Sequence, residues 1–508
     1  MKAVIAARDH PFTRAGLAST ETCERFLIAR RFGTSRWAST LRLATLFAGV
    51  IAGVTIDLHS ASADCQGERS WLRRTPAPTF ERPPPHPAPD CGFYKPAWQN
   101  FLYVTQLEGG ASAFESYPTI ADVFGAPATS MFAAKSPGRL SLAPRALKGP
   151  NDPTTEGPGR AGVNNAASIT DVRQAGLNGL LIDQNGRPIF YAIHMNEAFA
   201  AFIRQKQLTT KAAVQGADPD WEFPKGAVEL KSAWQIVPDN NVPTNYITRP
   251  ASVPVLKRTG DKVEVDSTAP PRNVTVALLA IHVVFVLDGH PEFIWATFEH
   301  VDGNGMRDLA PAAGALPGGV DGPVSVRSFT LYKGGTAASA ANQFIADAEM
   351  ASAFDEATQS FTRSGAARQT SIYRIFPSSK STETGEDKDI SDLTSSMRSL
   401  FASNAPNDVR QNYQLVGAIW LDKPETSFAV NKKFANPAGM STDDPAAPVA
   451  GEDGLSSMAM ESFTQDSFVN CFSCHDTRAV KDLSGNVLLS PKKLNVSHIL
   501  SKFVNEAN

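Results

Sequence analysis

Residues Val274–Leu287 read VTVALLAIHVVFVL, fourteen positions rich in β-branched side chains and interrupted only by Thr275 and His282. A run this apolar belongs inside a sheet, where successive side chains point to opposite faces and both are covered. Asp288-Gly289-His290-Pro291 then signals a turn, and Phe293–Phe298 (FIWATF) a second strand. Strand, turn and strand form a hairpin at the heart of the sheet.

The rest of the chain is organised around that hairpin. Ala227–Val237 (AVELKSAWQIV) alternates apolar and polar residues and reads as a strand. Ser325–Tyr332 and Tyr413–Leu421 read as further strands. Helical patterning is clearest at Glu197–Gln205, Ala337–Thr358 and Asp389–Phe401, while Ser136–Gly162 and Asn436–Gly454 read as loops. The expected class is α+β. A β-rich body over residues 92–440 carries a central antiparallel sheet, and a mainly helical segment over 441–508 follows it. In that segment a helix over Leu455–Val469 would set Met460, Phe463 and Phe468 on one broad face. Hydrophobic residues make up 42% of the chain, enough for a sizeable core and too many for a disordered chain. The net charge of −3 shows no basic excess, which excludes the usual nucleic-acid binder.

The N-terminus reads as an address. Residues 1–42 carry eight basic and three acidic side chains, and Leu43–Ile56 is an uncharged run of fourteen. At about 1.5 Å per residue that run is too short to cross roughly 30 Å of hydrocarbon. It fits the apolar region of a signal peptide, with Ala61-Ser62-Ala63 as the cleavage site. Residues 1–63 are the expected signal peptide, and the mature protein is periplasmic or secreted with no stable membrane span. Residues 64–91 are a Pro-rich linker, with seven prolines between Pro76 and Pro89, expected as an extended spacer. Cys65 and Cys91 bracket it and are a candidate disulfide in an oxidising compartment.

Near the C-terminus Asn470-Cys471-Phe472-Ser473-Cys474-His475 contains C-x-x-C-H, the attachment signature of c-type haem. Two intervening residues let one helical turn present both thiols to one edge of the macrocycle. The adjacent imidazole then reaches the iron. The expected cofactor is one covalently attached haem c, held by Cys471 and Cys474, with His475 as proximal ligand. A redox dithiol would sit in a βαβ context, which this sequence lacks. A zinc site needs a second pair of ligands, and no second CxxC or close His pair exists.

The sixth iron ligand is open at this level. Only 33 residues follow His475 and none is Met, unlike a small cytochrome c. His498 lies on an expected terminal helix, Leu494–Phe503, that could fold over the haem. His300 ends the central hairpin, and Met460 precedes the motif. An open position is the remaining alternative. His282 and His194 read as core histidines. Glu229, Lys231 and Glu299 alternate with apolar positions and read as solvent-face or cross-strand pairs. Trp234, Trp295, Trp420 and Phe298 read as core.

Several stretches resemble large, exported, single-haem bacterial cytochrome c family proteins: Ala97–Leu102 (AWQNFL), Phe223–Trp234 (FPKGAVELKSAW), Phe293–His300 (FIWATFEH) and Asn470–His475. The resemblance covers most of the mature chain. It implies covalent haem, iron ligation by His475, and one-electron transfer with a redox partner protein, but no particular substrate. The expected function is therefore an exported monohaem c-type cytochrome. The alternatives are a haem-dependent periplasmic oxidoreductase whose large body binds a substrate, or a haem-based redox or gas sensor. No Walker A loop, dinucleotide fingerprint, G-x-S-x-G elbow or H-E-x-x-H occurs, so catalytic residues are unassigned.

Overall fold

The apolar run lies in a sixteen-residue strand, Arg272–Leu287, whose positions from Val276 onward are all buried. It turns at Asp288-Gly289 into the strand His290–His300, with Val283 opposite Ala296 and His282 opposite Thr297. The computed structural model describes residues 65–506 except 126–138, 145–179, 303–307, 314–320, 362–369, 377–385, 436–445, and short stretches at 74–75, 84–89, 109, 267, 344, 467 and 482–484. The signal peptide expected at 1–63 lies outside the described residues.

The sheet has nine strands. Along its main path the order is Val449–Gly451, Tyr413–Leu421, His290–His300, Arg272–Leu287, Val228–Val237, Phe190–Met195 and Ala143–Pro144, each pair antiparallel. Thr248–Val253 pairs with the first part of the long strand, and Leu140–Ser141 adds to it in parallel. The fold is α+β with a large mixed sheet at its centre. The described residues form one compact unit, and Val449–Gly451, beyond residue 440, is an edge strand of the body's own sheet.

The two faces of the sheet differ in chemistry. One carries Leu230, Trp234, Ile281, Val283, Phe285, Ile294, Ala296, Phe298, Leu415 and Trp420 in a single apolar cluster. The helix Cys91–Thr105 covers it, with Phe101 stacked on Phe298 at 4.3 Å and Phe93 on Trp420 at 3.8 Å. Ile390, Leu393, Met397 and Phe401 of the helix Glu386–Asn404 complete this layer. The opposite face is apolar at its two ends and polar in the middle. Lys231, His282 and Thr297 stand in register across three strands, flanked by Glu229 and Glu299. The C-terminal residues 455–506 cover that face.

Several expectations change. Leu455–Val469 is a succession of turns and no helix, so the C-terminal segment is not mainly helical; its α-helix is His498–Glu506. Side chains capture the backbone there. Glu461 accepts the Ser457 N–H at 2.8 Å, and Glu299 accepts that of Met458 at 2.8 Å. Ala337–Thr358 is helical only over Asp347–Ala353, after a 3₁₀ turn at Ala338–Ala340; Asn342, with φ 56°, breaks the run. Ser325–Tyr332 forms only an isolated bridge, because the Tyr332 hydroxyl takes the Ser325 N–H that a ladder would need. The loops expected at 136–162 and 436–454 contain the short strands Leu140–Ser141, Ala143–Pro144 and Val449–Gly451, each too short to leave a pattern. The Pro-rich linker is also no free spacer. It holds the short helix Ser70–Arg73 with Trp71 buried, and Phe80 packs against Phe285 at 6.3 Å. Cys65 and Cys91 are joined as a disulfide, Cα atoms 5.4 Å apart, which ties this segment to the first residue of the helix Cys91–Thr105. Among the described residues no helix is long and apolar enough to cross a membrane.

Candidate functional site

Asn470 starts the motif in an extended conformation, and its side chain accepts the Phe472 N–H at 3.1 Å. The chain then turns through one short 3₁₀ helix, Cys471–Ser473. The N–H groups of Cys474 and His475 both donate to the Cys471 carbonyl, at 3.1 and 3.0 Å. One turn thus carries both thiols and the imidazole. Phe472 between the cysteines is fully buried, edge-on to Phe434 at 5.3 Å. After the motif, the Thr477 hydroxyl donates to the carbonyls of Ala429 and Lys432 and fixes the exit.

His475 Nδ1 lies 2.8 Å from the Val496 carbonyl. A carbonyl only accepts, so Nδ1 carries the hydrogen and Nε2 presents a bare lone pair. The ring is held between Trp295, centroids 3.9 Å apart, and His498, 3.8 Å apart. Burial keeps His475 neutral well below the usual imidazole range, and the neighbouring His498 adds to this. Burial likewise pushes His498 down to about 4, against its own hydrogen bond to the Cys474 carbonyl. The Cys474 thiol is raised to about 12 by burial and then by Glu461, and Cys471 is raised in the same way. Both thiols therefore stay protonated, the opposite of a redox-active dithiol.

The polar belt of the sheet faces this turn. His282 Nε2–H donates to Glu461 Oε1 at 3.0 Å, and His282 Nδ1 meets the Thr297 hydroxyl at 2.8 Å. Lys231 Nζ is 3.9 Å from the same Glu461 oxygen. Burial raises Glu461, but His282 and Lys231 outweigh it and hold the carboxyl below its ordinary value. Glu229 accepts the Ser497 hydroxyl at 2.7 Å, and its burial lifts it to about 7. Glu299, wholly buried, pairs with Arg374, whose guanidinium also donates to the Ser456 carbonyl at 2.7 Å.

The structure brings together Cys471, Cys474, His475 and His498. His498 stacks face to face on His475, beside it. There it forms one wall of the slot that holds the His475 ring. His300 lies on the other face of the sheet, because alternation along its strand turns Trp295, Thr297 and Glu299 one way and Phe298 and His300 the other. There it stacks on Tyr246 at 3.5 Å and donates from Nε2 to the Asn245 carbonyl at 3.0 Å. Met460 packs in a separate apolar cluster with Tyr191, Leu279 and Phe463.

Glu229 and Glu299, expected to face solvent or pair across strands, are buried beneath the C-terminal segment, and Lys231 is half-buried there. Their signal was present in the sequence: charges at alternate positions next to a strand buried on both sides must face a covered surface.

The donor set suits covalent haem at its attachment edge. It offers two protonated thiols and one bare imidazole nitrogen from a single turn. Two buried polar atoms beside them lack a partner among the described residues, Trp295 Nε1 and Ser473 Oγ. No protein-family model, curated protein or solved structure matches the chain.

Proposed function

We propose that this is an exported c-type cytochrome holding one haem covalently and passing single electrons to or from a partner protein. The observation that carries the reading is the His475 hydrogen bond to Val496, which leaves Nε2 free on the turn that presents both cysteines. When bound, haem supplies one-electron chemistry. Cys471 and Cys474 hold it through thioethers, His475 ligates the iron, and Trp295 and His498 fix the imidazole's rotation. The Cys65–Cys91 disulfide supports a periplasmic or secreted location, because such bonds persist in oxidising compartments. The resemblance to large exported single-haem cytochromes points the same way.

The test is production of the protein in cells that export it and attach haem, followed by a haem-stained denaturing gel. Haem that survives denaturation in the wild type and is lost in Cys471→Ala/Cys474→Ala supports the proposal. Haem retained by that double variant, or none in the wild type, refutes it. The polar belt beside the motif favours a second reading, an oxidoreductase that uses Lys231, His282 and Glu461 on a bound substrate. Optical spectra with and without carbon monoxide separate the two. A low-spin, indifferent iron fits the carrier, and a ligand-binding iron fits the enzyme or a gas sensor.

A further inference from the structure

The Thr297–His282–Glu461 chain has a property that a passive core hydrogen bond lacks: it has room for one more proton without moving a heavy atom. Glu461 only accepts, so His282 Nε2 always carries a hydrogen toward it. On the other side His282 Nδ1 faces a hydroxyl, which donates or accepts according to its rotation. With Thr297 donating, the ring is a neutral imidazole. With Thr297 turned to accept, Nδ1–H is satisfied and the ring is an imidazolium paired with Glu461.

Access to water runs through the other end of the chain. The His282 side chain is 8% exposed, whereas Glu461 is 30% and Lys231 20% exposed. The link to the motif runs along the sheet face, since Thr297 and Trp295 point the same way and Trp295 lies on His475. The charged or titratable groups that face His282 are Lys231 and Glu229 from one neighbouring strand, Glu299 with its partner Arg374, Glu461 from the turns above, and His475, with His498 stacked on it, from the C-terminal segment. Glu299 is neutralised by Arg374, which leaves Glu461 as the carboxylate in contact with the ring.

We propose that His282, poised between Thr297 and Glu461, takes up one proton when the neighbouring motif takes up one electron. The proposal rests on the haem reading above. In balance, a one-electron donor protein would supply the electron to the haem that Cys471, Cys474 and His475 would hold. Water supplies the proton, which stays on His282, and no substrate bond is made or broken.

The test is spectroelectrochemical titration of the haem-loaded protein from about pH 5 to about pH 9, a span that brackets ordinary histidine titration. Within the coupled window the midpoint potential falls by about 59 mV for each tenfold drop in proton concentration, the value for one proton per electron. In His282→Gln the slope vanishes while the absorption spectrum stays that of the wild type. Thr297→Val, close in volume, removes the acceptor for the second proton and displaces the window to lower pH; it keeps the test decisive if the histidine variant fails to fold. A potential independent of pH in the wild type overturns the proposal, as does a slope unchanged in His282→Gln or a window unmoved in Thr297→Val. Failure of the haem reading is seen separately, as absence of haem on the denaturing gel.

Discussion

Glu229→Gln isolates the titration of one buried carboxyl. In the folded protein Glu229 sits under Ser497, and burial raises it from 4.5 to about 7, with the Ser497 hydrogen bond and Lys231 pulling the other way. The native state thus keeps a proton that the unfolded chain releases. Between about pH 4.5 and about pH 7 the native state binds more protons, so stability falls as pH rises through that window. The contribution is complete below the unfolded value and lost above the folded one. At about 1.4 kcal/mol per pH unit the displacement amounts to about 3 kcal/mol. Glutamine is uncharged throughout and keeps an oxygen for the Ser497 hydroxyl. The assay is urea unfolding of both proteins at about pH 5 and about pH 8. The variant should gain about 2.5 kcal/mol on the wild type between the two conditions, since part of the window lies below pH 5 and other titrating groups cancel in the difference. A wild-type-to-variant difference that stays constant with pH would refute the reasoning, since the carboxyl would then not be exchanging its proton in this range.

Other perturbations test the frame around the site. Cys65→Ser/Cys91→Ser opens a disulfide of sequence separation 26 and should lower stability by about 3.5 kcal/mol on the chain-entropy relation, read as a lower Tm that reductant no longer changes. Arg374→Met leaves Glu299 charged and unpaired in the interior and should cost about 3–5 kcal/mol, with part recovered in Arg374→Met/Glu299→Gln. Lys492 donates to the carbonyls of Val214 and Gln215, both at 2.9 Å, beside the end of the helix Lys211–Gln215. Lys492→Met should cost about 1–3 kcal/mol and speed amide exchange in that helix.

The central sheet was legible because its patterns are long. Tyr413–Leu421 and Glu197–Gln205 are the elements that spacing predicts, and the hairpin lies where VTVALLAIHVVFVL and FIWATF place it. What escaped were elements fixed by contacts distant in sequence. Leu455–Val469 has helical spacing, yet Glu299, far away in the chain, takes the Met458 N–H and holds the backbone in turns. The turn that gathers Cys471, Cys474 and His475 was legible from their spacing. Its surroundings were not, because Lys231, His282 and Trp295 come from three different strands and meet only through register. His300, one residue past Glu299, shows how strongly parity decides. The same hairpin end sends one side chain toward the motif and the next to the opposite layer.

That parity bears on why so large a body surrounds the short turn Cys471–His475. A sheet covered on one face alone would leave the belt of Glu229, Lys231, His282, Thr297 and Glu299 in water, where its pairings would be worth little. Here the helices Cys91–Thr105 and Glu386–Asn404 seal the apolar face and make the sheet a rigid plate. The C-terminal turns then lie on the polar face, and Glu461, Ser497 and the Met458 N–H each complete a bond to a strand residue. The segments on either side of the motif are therefore held to the sheet by His282, Glu299 and Glu229. The large body gives the short turn a largely buried, electrically structured floor, which the turn and its flanking residues could not form by themselves.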